Sequence, residues 1–126
     1  MLNSKIVDKN VFQEVWVRFA LEGFHYYPDA PDSVAYLKNE HRHMFHYEVS
    51  VQTWDQDREV EFHMMKNWLL FLFKSNTLQS NYKSCEMMAV DLLKELKNKY
   101  GTNRVYKITV SEDLECGSTI TYTPEA

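Results

Sequence analysis

The run HRHMFHYEVSVQTW, residues 41–54, decides how the chain folds. His41, His43, Phe45, Tyr47, Val49 and Val51 share one parity, while Arg42, Glu48, Ser50 and Gln52 share the other. Alternation of period two marks a strand with one buried face, and this strand starts near Arg42. Upstream, VFQEVWVRFALEGF (residues 11–24) alternates in the same way: Val11, Val15, Val17, Phe19 and Leu21 oppose Glu14, Arg18 and Glu22. The two strands are separated by a segment opening HYYPDAPDS, whose two prolines disfavour both helix and ladder, so a loop is expected there.

Downstream the period changes. In EVEFHMMKNWLLFLFKSN (residues 59–76), Met65, Trp68, Leu69 and Leu72 fall at helical spacing with neither Gly nor Pro, which predicts a helix. After a polar connection over residues 75–83, Ser84 is a suitable N-cap with Glu86 in the first turn. Ala89, Leu92, Leu93, Leu96 and Tyr100 then form one stripe, and Gly101 follows Lys97 and Lys99 as a helix end prefers. Two β-rich runs, residues 104–112 and 118–123, predict a terminal hairpin joined by acidic residues and a Gly. Strand, strand, helix, helix, strand, strand is an α+β order, with a four-stranded antiparallel sheet and two helices packed on one face. One domain over residues 1–126 is expected, with loose ends at residues 1–10 and 123–126.

A chain of 126 residues with 44% hydrophobic side chains can bury a core, and 3 Gly and 3 Pro point to short connections. The net charge of −4 supplies no attraction to a phosphate backbone, so nucleic acid is not an expected partner. The longest apolar stretch, residues 68–73, is far below the roughly 20 residues of a membrane span. A mean hydropathy of −0.49 agrees, and no membrane partner is expected. Two cysteines and no basic-then-apolar leader make a reducing cytoplasm the expected compartment.

Four of the five histidines fall between residues 25 and 46. His41 and His43 point to one side of their strand, so both imidazoles can meet one ion, although two hydrogen-bonded histidines at a strand mouth are the plainer account of an isolated pair. His25 adds a third, since it ends the first strand on its apolar parity and antiparallel pairing can bring it beside the second. Three neutral imidazoles with an open fourth position describe a catalytic type of zinc site. His46 lies on the opposite parity and His63 within a helix, and both read as outside the site.

Glu112 ends a buried stripe of Tyr106, Ile108 and Val110, where a carboxylate needs hydrogen bonds. Two accounts stand side by side: it caps a neighbouring backbone, or it accepts paired N–H groups from a purine- or pterin-like ring edge. Asp113 and Glu115 read as solvated turn charges. Cys85, at a helix start, is either a thiol activated by the helix dipole or a packing residue, and Cys116 reads as an inert loop residue.

His25, HRHMFHYEV, REVEFHMMKNWL, SCEMMAVDLL and VYKITVSED together resemble, in order, the landmarks of the 6-pyruvoyltetrahydropterin synthase and 6-carboxytetrahydropterin synthase family. The resemblance implies that His25, His41 and His43 bind Zn2+ and that Glu112 anchors the pterin ring, with Ser84 adding a polar contact. It implies the tunnelling fold, ββααββ subunits assembled side by side into trimers stacked as hexamers. It also implies a lyase acting on 7,8-dihydroneopterin triphosphate or a related bicyclic substrate.

The departures are equally specific. The family's catalytic cysteine before the histidine pair is absent, residues 37–40 being Leu, Lys, Asn and Glu, and the glutamate used by some members falls on Lys38. Glu40 is the substitute base nearest that place. The family's LDHxxLN segment has no counterpart, and Arg42 replaces the glycine between the histidines. A non-catalytic module binding a pterin- or purine-type ligand in the same pocket is therefore the alternative function.

Overall fold

The computed structural model describes residues 5–125. Strands β1 (Gln13–His25) and β2 (His41–Thr53) pair antiparallel over their whole length, from Gln13 opposite Thr53 to His25 opposite His41. Strand β3 (Tyr106–Glu112) lies on the other side of β2, and β4 (Cys116–Tyr122) pairs with β3, giving the order β1-β2-β3-β4. Helices α1 (Phe62–Lys74) and α2 (Cys85–Tyr100) complete the expected ββααββ α+β fold. None of the helices among the described residues is long and apolar enough to cross a membrane.

The two periodicities meet at one core. Val17, Phe19, Phe45, Tyr47, Val49, Val51, Tyr106, Ile108 and Val110 face Met65, Leu69 and Leu72 of α1 and Met88, Ala89, Leu92 and Leu96 of α2. The stripe on each helix thus covers the same side of the sheet. Both starts are capped: the Glu61 carboxylate accepts from the N–H groups of His63 and Met64, and Ser84 Oγ accepts from Met87 at 3.1 Å. Gly101 ends α2 at φ 98, a left-handed conformation that favours glycine.

Three expectations are corrected. The loop between β1 and β2 contains a 3-10 helix, Asp32–Lys38, since the prolines confine only its entry and Ala35 to Lys38 can close single turns. The N-terminal segment is not loose where it is described: Ile6 bridges Asp55, and the Val7 N–H donates to Trp54 O at 2.7 Å. Finally, β4 begins at Cys116, so Cys116 and Gly117 are strand residues. The turn instead uses Asp113 (φ 52) and Leu114 (φ 62), closed by the Glu115 N–H on Glu112 O at 2.9 Å. Residues 1–4 and 126, included in the loose ends expected from sequence, lie outside the described residues.

Candidate metal centre and pocket

The register that pairs His25 with His41 places their side chains on the same face, and His43 follows two residues along β2. Their ring centroids lie 4.6 Å (His25–His41), 5.2 Å (His25–His43) and 4.9 Å (His41–His43) apart, with interplanar angles of 69°, 87° and 86°. One ligating atom from each falls within 4.8 Å of the others, close enough to hold a metal ion. The described residues contain one such group. Phe45, fully buried, packs edge-on under His25 at 5.0 Å and closes the cluster from below. Gly23 makes room for it, because a Cβ there would lie 2.8 Å from the Phe45 ring.

Each imidazole is oriented through its outer nitrogen. His25 Nδ1 donates to Lys83 O at 3.0 Å, His41 Nδ1 to Asn39 O at 2.8 Å and His43 Nδ1 to Asp113 Oδ2 at 2.7 Å. Carbonyl and carboxylate oxygens only accept, so Nδ1 carries a proton in all three rings, and Nε2 is the atom that a neutral ring can offer to a metal. Metal-binding histidines are held this way. Among the described residues, His43 Nε2 is the buried side-chain polar atom that lacks a hydrogen-bond partner.

Two of the outer partners, Lys83 O and Asp113, come from distant segments. The connection before α2 is strapped to the end of β1 by Ser80 Oγ donating to Phe24 O at 2.7 Å and the Tyr26 N–H donating to Asn81 O at 3.0 Å, which brings Lys83 O to His25. The β3–β4 turn reaches over β2, where Asp113 Oδ1 accepts from the Met44 N–H at 2.9 Å and the Asp113 N–H donates to Met44 O at 2.8 Å. Asp113 is exposed in its turn, as expected, but it also engages His43 and the Met44 backbone. The hydrogen bond from His43, then that from Met44, holds its carboxyl below the usual range. Nothing local to its sequence announces this, since the contact depends on the register of two strands.

A pocket of about 640 Å³ opens on the cluster, lined by His25, His41, Tyr26, Tyr27, Leu37, Tyr82, Lys83, Ser84, Cys85, Glu86, Met87 and Glu112, among others. Its volume lies in the range of small-molecule sites, and its walls mix aromatic side chains with a few polar groups. Glu112 ends β3 with its carboxylate turned into the histidines, Oε1 at 3.2 Å from His25 Nε2 and Oε2 at 3.5 Å from His43 Nε2. Ser84 caps α2 and lines the pocket. Glu40, although it directly precedes His41, is exposed and absent from the pocket wall.

Cys85 is a packing residue: burial, then the Glu112 charge, pushes its thiol up to about 12, against the helix-dipole activation considered from sequence. His46 lines a shallow pocket on the uncovered sheet face and His63 is exposed, so neither joins the cluster. Compared with known proteins, the chain matches no family model and no curated protein.

Proposed function

We propose that the chain is a zinc-centred, pterin synthase-like protein that takes 7,8-dihydroneopterin triphosphate or a related bicyclic ligand in this pocket. The observation that carries the reading is the trio of imidazoles with Nδ1 engaged outward and Nε2 turned inward, two of which, His25 and His41, line the pocket. Three nitrogen donors of this kind are the set that zinc adopts in catalytic sites. Bound zinc would supply Lewis acidity toward the side-chain hydroxyls of the ligand. Tyr26, Tyr27 and Tyr82 offer faces for a planar ring, and Ser84 and Glu112 offer polar contacts at its edge.

One observation favours the second reading, a module that binds the ligand without turning it over. A lyase must move protons at carbon, which needs a positioned base. The Cys85 thiol stays protonated and Glu40 lies outside the pocket wall. Protein purified without a histidine tag should contain about one zinc per chain. Incubation with 7,8-dihydroneopterin triphosphate then separates the readings: loss of triphosphate or release of acetaldehyde marks the lyase, and retention of intact ligand marks the module. Absence of both metal and ligand binding would overturn the proposal.

The proposed assembly is a homo-oligomer, a trimer or a hexamer of stacked trimers. Among the described residues both edge strands, β1 and β4, have one unpaired side, and Trp16 and Phe24 are 52% and 46% exposed on the uncovered face of the sheet. Mass measurement of the native protein in solution tests this, and a monomer would refute it.

A further inference from the structure

We propose that Glu112 is a fourth protein ligand of the metal, so that a small molecule reaches the ion only by displacing this carboxylate. The inference rests on the metal reading above and assigns how the site is closed while its pocket is empty.

The donors and acceptors of the cluster do not balance. With Nδ1 engaged outward in each ring, His25 and His43 turn Nε2 toward the two oxygens of Glu112, at 3.2 and 3.5 Å. Between neutral rings and a carboxylate, acceptor faces acceptor, and His43 Nε2 is buried without a hydrogen bond. Such an arrangement needs positive charge among these atoms, supplied by a proton on Nε2 or by a metal cation. The chain's nearby cations are occupied: Lys83 Nζ, in the pocket wall, pairs with Asp91 at 2.6 Å, and Arg42, between the two histidines of β2, pairs with Glu22 at 2.7 Å.

The spacing suits the same ion. Donors held about 2.0–2.2 Å from a shared tetrahedral ion lie roughly 3.3–3.5 Å from one another. One Glu112 oxygen stands 3.2 Å from His25 Nε2 and the other 3.5 Å from His43 Nε2, close to this separation for two of the three histidines. Since closed four-ligand sets suit structural zinc and open ones suit reaction, a displaceable carboxylate would keep the ion capped until a ligand with metal-seeking oxygens arrives. Once displaced, the same carboxylate is free to accept N–H groups from the ring edge.

The test uses Co2+ in untagged full-length protein, read by visible absorption and by competition with a chromophoric chelator. Glu112→Ala should shift the Co2+ bands and weaken its affinity by about tenfold or more, and Glu112→Gln, which keeps the side-chain volume should the alanine variant misfold, should shift the bands as well. Azide should perturb the spectrum of both variants at concentrations about tenfold lower than in the unmodified protein. Asp113→Asn should weaken affinity without moving the bands. Identical bands and azide response in Glu112→Gln and the unmodified protein would overturn the assignment. Failure of the unmodified protein to take up Co2+ would instead overturn the metal reading beneath it.

Discussion

The two ends of the β1–β2 ribbon share one sheet face and differ in how their polar groups are satisfied. At the end marked by Gln13 and Thr53, donors and acceptors match: Gln13 Nε2 donates to Thr53 Oγ1 and to Asp55 O, both at 2.8 Å, and Arg104 Nη1 donates to Glu59 at 2.9 Å and to Gln52 O at 3.1 Å. Tyr106 Oη donates to Gly101 O at 2.6 Å. At the end marked by His25 and His41, three imidazoles cluster, the Glu112 carboxylate faces two of them, and among the described residues His43 Nε2 has no hydrogen-bond partner. A buried polar group needs a partner, so the matched end serves the fold, whereas the histidine end is the one close enough to hold a metal ion.

The largest expected effect breaks the histidine end alone. Changing His41 and His43 together to Ala should take bound zinc from about one per chain to none, read by metal analysis, while the circular dichroism of the fold persists. The converse break is Leu92→Ala in the core, where the side chain is fully buried. It should cost about 2–5 kcal/mol in urea unfolding and leave the metal stoichiometry of the folded protein unchanged. Loss of zinc at proportionate cost to stability would show that the two ends are not independent.

Asp113→Asn sharpens the comparison by touching the site only through His43. Metal affinity should fall by about 10–100-fold by chelator competition, with little change in unfolding midpoint. The smallest effect belongs to the matched end. Burial raises the Glu59 carboxyl, but the N–H groups of Trp54 and Asp55 and the Arg104 guanidinium outweigh it and lower the pKa from 4.5. A carboxyl lowered by folding stabilises above its unfolded value, and that contribution disappears as pH falls through the folded one. Glu59→Gln should therefore be less stable than the unmodified protein at neutral pH, by under about 1 kcal/mol at this surface position. The difference should vanish below the lowered pKa, read as the gap between unfolding midpoints across pH.

Much of the fold was legible without coordinates because its determinants are local. Alternation in residues 11–24 and 41–54 and helical spacing in residues 59–76 follow from the two ways a backbone presents side chains. Ser84 and Gly101 also announced the ends of α2 by their own chemistry. The 3-10 helix after Pro31 was missed because single turns carry no periodicity. The β3–β4 turn was misplaced because Gly117 looked like a turn residue. It is instead a strand residue whose Cβ would lie within 2.4 Å of Val110 O.

By itself the sequence determined the elements, their order, the buried face and the candidacy of His25, His41 and His43, all of which depend on neighbours a few positions away. Only the tertiary structure decided that the three rings converge, that Lys83 O, Asn39 O and Asp113 orient them, and that Glu112 faces them. These contacts join residues up to 87 positions apart, as between His25 and Glu112. Strand register and loop closure set such distances, and a one-residue slip would turn the side chains of the slipped strand to the other face of the sheet.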